Sequence, residues 1–557
     1  RQYDRRFFTR GIQPHVMAIQ ESNALEAFER LQGQLSMDTL CLETANQLIR
    51  TFHDAKEYGS ILQVDIPGLE SADRLMEQLR AVQGDFELMA WVERAEALLP
   101  VLAQQAVIMQ QKYDVGGTNP PYLSCKNMKA KISTYLTENY PHTKNDLFTV
   151  FIERNINSSK PHAYVAMITQ QAWMFQSSFG DARRLVYAHT IANMAQLGPR
   201  AFEEIGGEVV QTTAFVLQNV KLARYFGAYS RLTEYMSEAD KETGYLQHND
   251  IYYQQLETLN KIPGQPLCYW CSEQMISSFT EGASLDSIAS PRQGIKTGDN
   301  SIFLRTWCEV PIDKTSLVAH AHSAKWYPCN KGGGFRRWYG NNDYVVDWEN
   351  DGYRIKNFRD SKTGKQKSRP QNLQYMLKQG LTYTNVSSTR LSVRYCPAGF
   401  IFDATGSMIF CDSQIEKYLL AFMLSNVAGR YAAVLSASMT FEVGQIAELP
   451  VRLNNKYQAD VDGLANDNIE AEKVDWDSYE TSWDFKGHPL VLGRLPEPVW
   501  GDVPDKVAFQ NTSLSYTYQI YWKKTCEYRF EKLKANEEEL NRIFIDIYGL
   551  ADELTPE

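Results

Sequence analysis

Two consecutive prolines, Pro120 and Pro121, place the strongest local constraint on how this 557-residue chain can fold. They follow Tyr113 to Thr118, a short strand-like run with two glycines near its end. Proline lacks a backbone N–H, fixes φ near about −65°, and favours an extended conformation in the residue before it. The sequence therefore predicts a strand that ends near Thr118 and leads into a rigid loop, Asn119 to Tyr122.

The same loop has the groups that are needed to hold an exocyclic base amine. Both amine hydrogens need an acceptor, and a base outside its stack needs an aromatic ring to lie on. Asn119 offers its side-chain oxygen, Pro120 its backbone carbonyl and Tyr122 its ring. Asn-Pro and Pro-Pro pairs are also common in turns, so an ordinary turn is the alternative interpretation.

The chain is too long to fold around a single hydrophobic core, so we expect two to four domains. Hydrophobic content of 43% and a mean hydropathy of −0.41 are typical of a globular protein. No apolar run has the length of a membrane span, the first residues do not resemble a signal peptide, and the nine cysteines are odd in number. These features predict a cytoplasmic protein with no membrane partner. The single CxxC pair, Cys268 and Cys271, is weak evidence for zinc, and we predict no metal site.

The net charge of −10 argues against nucleic acid, but the charge is unevenly distributed. Residues 354–369 hold seven Lys and Arg residues against one acidic residue, Asp360. Such a run could meet phosphates or could form a solvated loop.

Apolar spacing predicts mainly helices over residues 22–112 and another helix over 145–155. Residues 163–169 form a continuous apolar run, which predicts a strand buried in a parallel sheet, and 208–217 predict a second strand. Further helices are predicted around 412–425, 427–437 and 514–548.

This order of strand, Asn-Pro-Pro-Tyr loop, helix, Asn145 to Phe148 and two strands resembles the amino-methyltransferase core of DNA adenine methylases. Residues 291–300 and 325–340 resemble the recognition domain of type IIG restriction-modification enzymes. Residues 475–485 and 536–550 resemble the adenine-specific DNA methyltransferases of the BREX phage-defence system.

The resemblance implies an α/β fold: a partial Rossmann-like methyltransferase core with a helical N-terminal block, an irregular α/β target-recognition domain and a helical C-terminal region. The implied domains are a mainly helical part at residues 1–112 and the catalytic half of the core at 113–265. The target-recognition domain would follow at 266–459 and the C-terminal helical region at 460–557.

The implied activity is site-specific methylation of adenine N6, with S-adenosylmethionine as the cofactor. The partners would be double-stranded DNA with a flipped adenine and other phage-defence proteins. Asn119, Pro120, Pro121 and Tyr122 would be catalytic. The other implied site residues are cofactor-binding Asp54, Asn145, Leu147 and Phe148, base-stacking Phe215, and DNA-binding Arg305, Lys331, Arg336 and Arg337.

One feature of the family is missing upstream of Asp114: the glycine-containing loop that wraps the cofactor, followed by an acidic residue for its ribose. We therefore expect an incomplete cofactor pocket in a chain that starts after the first strands of the fold. The alternatives are the modification part of a type IIG enzyme, a non-catalytic DNA-binding or scaffold fragment, and, more remotely, an RNA or protein-glutamine methyltransferase.

Overall fold

The computed structural model describes residues 15–25, 38–202, 210–317, 324–385, 391–436, 440–492, 513, 515, 518 and 522–557. Parts of three predicted elements, at 26–37, 208–209 and several positions of 514–521, lie outside these residues. The chain divides into two compact units, Arg1–Glu257 and Thr258–Glu557. The finer division into four domains remains a prediction.

The first unit begins with a helical block, as the sequence predicts. Its helices are α1 Thr39–Thr51, α2 Ala55–Tyr58, α3 Ala72–Arg80 and α4 Phe86–Gln110. Aspartates start the two long helices: Asp38 accepts from the Cys41 N–H, and Asp85 accepts from the Leu88 N–H. The apolar faces of these helices form one buried cluster that includes Leu48, Phe52 and Leu99.

A six-stranded sheet follows the helical block. Its strands are β1 Tyr113–Thr118, β2 Ser159–Gln170, β3 Thr190–Gly198, β4 Thr212–Gln218, β5 Phe226–Arg231 and β6 Ile251–Gln255, in the order β1-β2-β4-β3-β5-β6. The accompanying helices are α5 Ala130–Asn139, α6 Leu147–Asn157, α7 Gly180–Tyr187, α8 Glu238–Leu246 and α9 Leu256–Leu259. The predicted α/β fold class is confirmed.

The sheet is mixed, and this corrects the prediction of a parallel one. β2 runs parallel to β1 but antiparallel to β4. β4 returns beside β3 after residues 199–211 and pairs with it in antiparallel fashion. Antiparallel neighbours need only a short connection, whereas a parallel pair needs a crossover of a dozen or more residues. Burial also alternates along β2, with Val165, Met167 and Thr169 buried and the residues between them half-buried.

The second unit holds two four-stranded sheets, ordered β14-β10-β11-β9 and β13-β12-β15-β8, and the small pair β16-β7. Their strands are β7 Ala283–Ser284, β8 Ala289–Arg292, β9 Leu304–Thr306, β10 Trp326–Asn330, β11 Tyr344–Asp347, β12 Gly380–Thr384, β13 Val393–Cys396, β14 Ile401–Phe402, β15 Gly406–Cys411 and β16 Pro450–Val451.

The helices of the second unit include both that were predicted near residues 412–437. They are α10 Glu273–Glu281, α11 Leu285–Ile288, α12 Asn300–Phe303, α13 Glu349–Lys356, α14 Ser413–Leu424, α15 Asn426–Leu435, α16 Val443–Ala447, α17 Gln458–Asp477, α18 Pro489–Leu492 and the C-terminal helix Lys523–Tyr548. Across the described ranges no single helix is long and apolar enough to cross a membrane, although the bent pair α14 and α15 passes by length and composition. Most residues of that pair are buried within the unit.

Candidate active site

The Asn119–Tyr122 loop leaves the sheet at the carboxyl end of β1, where Thr118 pairs with Met167 of β2. The Pro120 ring is buried, Asn119 and Pro121 are exposed, and Tyr122 is half-buried. The Tyr122 hydroxyl lies 3.5 Å from Asn119 Oδ1, a long hydrogen bond that a ligand can displace. Within the described part of the chain no donor reaches the Pro120 carbonyl oxygen.

The buried carboxylate of Asp146 holds the loop in place. Its Oδ1 accepts from the Leu123 N–H at 3.0 Å and from the Phe148 N–H at 3.4 Å, so it caps α6 as well. The Leu147 N–H donates to the Leu123 carbonyl at 3.1 Å. Burial raises the pKa of Asp146, and the backbone N–H groups partly offset this.

Asp146 is absent from the sequence-based set of site residues. The sequence does indicate that Asp146 is an N-cap, because it is an aspartate immediately before an apolar helix. Its second bond, to the loop 23 residues earlier, has no local sequence signal.

An aromatic cluster supports Tyr122 from the side of α6. The Tyr122 and Phe148 rings meet edge to face with their centroids 6.0 Å apart, and Phe148 meets Phe179 at 5.5 Å. Phe148 has no exposed surface. Burial raises the pKa of Tyr122, so its hydroxyl remains a neutral donor.

A cavity of about 670 Å³ adjoins the loop, and Asn119 and Phe215 are among its lining residues. Its floor is the half-buried face of the sheet, and it is lined by Ala166, Ile168, Ala195, Leu197, Ala214 and Val216. Phe215 is 2% exposed and packs on Trp173 with ring centroids 5.3 Å apart. Among its wall residues, Lys241 donates from Nζ to the carbonyls of Leu232 and Tyr235, both at 2.7 Å.

The four predicted cofactor residues do not line this cavity, and protein partners already engage them. Asp54 has a left-handed φ of 58°. Its carboxylate contacts Lys131 Nζ at 2.7 Å and the Asn23 amide at 3.1 Å, and the Lys131 contact lowers its pKa. Asn145 donates to the Ser178 carbonyl, and Leu147 and Phe148 pack inside the unit. By themselves these residues do not form a site that fits S-adenosylmethionine.

The predicted DNA-binding residues lie in the second unit, in contact with its own groups. Lys331 Nζ is 2.6 Å from Asp403. Arg337 lies 2.7 Å from Glu537, which also accepts from the Trp338 indole N–H at 2.7 Å. Arg305 donates to two backbone carbonyls at 2.6 Å.

Arg336 is held by three groups of α17. Its guanidinium lies 3.0 Å from Asp475 and 3.4 Å from Glu472, and it stacks over Trp476 at 4.8 Å from the ring centroid. As contacts to DNA, these four cations remain predictions.

Residues 39–201 match the model of the Eco57I restriction-modification methylase family. The whole chain aligns with the adenine-specific methyltransferase PglX of Lacticaseibacillus casei (strain Zhang) at 36% identity over 571 residues. It aligns with the adenine-specific methyltransferase BrxX of Escherichia coli O9:H4 (strain HS) at 32% over 586 residues. The chain spans about half the length of these relatives, 46% of PglX and 45% of BrxX.

Two solved structures are similar at low sequence identity. The type IIL restriction-modification enzyme MmeI in complex with DNA has a TM-score of 0.47 and 11% identity, covering 79% of this chain and 55% of MmeI. A nuclease-deletion mutant of the type ISP enzyme LlaGI, with a DNA substrate mimic, has a TM-score of 0.40 and 10% identity, covering 67% of this chain and 36% of LlaGI.

Proposed function

We propose, from the 36% and 32% identity over its whole length, that this chain is part of an adenine-specific methyltransferase similar to PglX and BrxX. It would provide the base-binding part of a DNA adenine N6-methyltransferase. The enzyme would take its methyl group from S-adenosylmethionine and mark host DNA in BREX phage defence. It would act on double-stranded DNA with one adenine flipped out of the helix.

The observation that carries this proposal is the pair of acceptors at the end of β1. Asn119 Oδ1 meets only the long contact from Tyr122, and the Pro120 carbonyl has no donor among the described residues. An adenine amine has two hydrogens to donate and would satisfy both. The cavity beside Asn119 has an apolar floor, which suits a flat base.

The acceptors would activate a weak nucleophile. The lone pair of an aromatic amine is delocalised into the ring, and accepting both hydrogens draws the nitrogen towards tetrahedral geometry and localises that pair. Asn119 and Pro120 would therefore orient the amine and stabilise the charge that develops on it. Bound S-adenosylmethionine would supply an electrophilic methyl group on its sulfonium. The methylated nitrogen then loses one proton to water, which restores a neutral amine.

Tyr122 would supply the platform for the flipped base. Stacking on an aromatic ring is worth about 1–3 kcal/mol per base, which offsets part of the unstacking cost of a few kcal/mol. Its contacts with Phe148 and, through the loop, with Asp146 fix the ring before a base arrives.

The cofactor site needs groups beyond Asp54, Asn145, Leu147 and Phe148, since these are bonded or packed within the unit. We propose that the part of the relatives' length that this chain does not span contributes the remaining groups.

The test compares this chain with a version extended to the relatives' full length. Isothermal titration with S-adenosylmethionine should give binding by the extended protein only. The extended protein should also transfer tritiated methyl to duplex DNA, and nucleoside mass spectrometry should identify N6-methyladenine. Methylcytosine as the product, or no transfer by the extended protein, would contradict the proposed function. If the present chain, without the extension, also bound S-adenosylmethionine, our account of the cofactor site would be wrong.

A further inference from the structure

A hairpin in the second unit presents a cluster of exposed positive charge. Residues 358–369, called here the basic hairpin, turn back on themselves through the Arg359–Gln366 bridge and the Asp360 N–H bond to the Lys365 carbonyl at 2.8 Å. The Ser368 hydroxyl donates to the Ile355 carbonyl, and the Gln366 amide donates to the Lys356 carbonyl at 3.0 Å. These bonds fix the hairpin against α13.

The one carboxylate in the hairpin, Asp360, accepts its hydrogen bonds from the turn and forms no ion pair within 4.0 Å among the described residues. Asp360 Oδ1 accepts from the backbone N–H groups of Lys362 and Thr363, at 3.1 and 2.8 Å, and from the Thr363 hydroxyl at 3.0 Å. These bonds lower the pKa of Asp360 and close the turn. Five exposed cations remain with no carboxylate within 4.0 Å among the described residues: Arg359, Lys362, Lys365, Lys367 and Arg369.

A sixth cation lies directly opposite one of these five. Lys296 and Arg369 face each other in an antiparallel bridge, each N–H donating to the other's carbonyl at 3.0 and 2.8 Å. Gly298, with φ of 82°, allows this close approach, because a Cβ there would lie 2.8 Å from the Lys367 carbonyl. Like charges directly opposite in a strand pair are destabilising. An anion bound between them would relieve that repulsion.

The two cations just before the hairpin have carboxylate partners. Arg354 and Lys356 pair with Asp347 and Asp351. The seven positive residues of 354–369 therefore separate into two with carboxylate partners inside the unit and five available to an external anion.

We propose that the basic hairpin, together with Lys296, binds the phosphates of double-stranded DNA; this rests on the proposed function, which makes duplex DNA the substrate. In a paired, extended segment Lys365, Lys367 and Arg369 share a face at intervals of about 6.8 Å, twice the roughly 3.4 Å axial spacing of phosphates along one DNA strand. A two-stranded ribbon also fits the major groove, which is about 12 Å wide.

Two double variants of the full chain test the proposal. Lys362→Ala with Lys365→Ala removes charge at the turn, and Lys296→Gln with Arg369→Gln removes the opposed pair. For each, fluorescence anisotropy with a labelled duplex should show at least a tenfold loss of affinity near 0.1 M salt. The slope of log affinity against log salt should fall by about 1.8, or about 0.9 per phosphate contact.

Thermal unfolding separates this role from a structural one. The Lys296 and Arg369 double variant should unfold at the same or a higher temperature than the wild type, because the repulsion is gone. A matched control, Lys524→Ala with Lys532→Ala, removes two exposed lysines of the C-terminal helix and should leave affinity and slope unchanged.

Unchanged DNA affinity in both hairpin variants would overturn the proposal, as would a wild-type chain that does not bind duplex DNA. Equal losses in the control would mean that only net charge matters, and a loss confined to single-stranded RNA would assign the hairpin to another ligand. Methylation by the extended protein is measured separately, so either proposal can fail without the other.

Discussion

The Asn119–Tyr122 loop of the first unit and residues 331–337 of the second were both predicted to meet DNA, but their polar groups differ in availability. In the first loop, Asn119 has one long contact and the Pro120 carbonyl has no donor among the described residues. In the second, Lys331 and Arg337 contact carboxylates at 2.6 and 2.7 Å. Carboxylates account for the difference. Asp146 bonds to the backbone of the first loop and leaves its acceptors available, whereas Asp403 and Glu537 bind the cations of the second.

Sequence distance explains why one loop was easier to predict. Asn119, Pro120 and Tyr122 lie in one short motif, and the Asp146 carboxylate that holds their loop bonds to a residue only 23 positions earlier in the chain. Arg336 and Arg337 depend on Asp475 and Glu537, which lie 139 and 200 residues later in the chain. A motif identifies a chemical group, but tertiary partners decide whether that group is available.

The largest expected effect is the loss of methyl transfer in Asn119→Ala of the extended protein. Removing one preorganised hydrogen-bonding group from a reacting centre costs about 10²–10³ in kcat. Because Asn119 is exposed, thermal unfolding should not change. Asn249→Ala, at another exposed asparagine of the first unit, is the matched control. Full methyl transfer by Asn119→Ala in the tritium assay would remove the first loop from the catalytic centre.

Glu537→Ala should produce the largest loss of stability in the second unit. It would leave both the Arg337 guanidinium and the buried Trp338 indole N–H without this acceptor. We expect the free energy of unfolding to fall by about 2–3 kcal/mol in a urea titration. Glu538→Ala breaks only an i,i+4 surface pair with Lys534 and should cost about 0.5 kcal/mol or less. Equal effects of the two variants would mean that Glu537 does not anchor this loop.

The elements that the sequence predicted correctly are those that local sequence signals specify. β1, α6, α14 and α15 were found because an apolar period or a proline pair specifies each of them within a few residues. The prediction of a parallel sheet around β2 was wrong because an apolar run predicts a buried strand but not the direction of its neighbours. The role of Asp146 combines a local signal, its N-cap position, with a non-local bond to Leu123.

Glu472 makes the contacts of Arg336 depend on pH. Burial raises its pKa to about 7, while the nearby Arg336 lowers it and Asp475 and Glu537 raise it further. Because the folded-state pKa lies above the unfolded one, the unfolded chain binds fewer protons, and stability falls as pH rises from about 4.5 to about 7. Relative to Glu472→Gln, wild-type unfolding free energy should fall by at most about 1.4 kcal/mol per pH unit. Parallel stability curves for the two proteins over this window would contradict the assignment.

The smallest expected change in kcat belongs to Asp146→Ala, which tests whether a carboxylate positions the Asn119–Tyr122 loop. Loss of the N-cap of α6 should cost about 1 kcal/mol. Loss of the bond to the Leu123 N–H should also loosen Tyr122. We expect kcat for methyl transfer to fall about tenfold, less than the roughly 100-fold cost of a full 1 Å misplacement. The KM for DNA should not change. Asp146→Asn keeps an acceptor at both bonds and should recover most of kcat.

Asp85→Ala is the control that separates positioning from stability. Asp85 caps α4 through the Leu88 N–H at 2.9 Å, the same kind of bond, but no bond that the structure describes joins it to the Asn119–Tyr122 loop. Its loss should lower the free energy of unfolding by about 1 kcal/mol and leave kcat unchanged. If Asp85→Ala and Asp146→Ala reduced kcat equally, Asp146 would act only through the stability of the first unit. A reduction confined to Asp146→Ala would show that the first loop needs its carboxylate to keep Asn119 and Tyr122 in place.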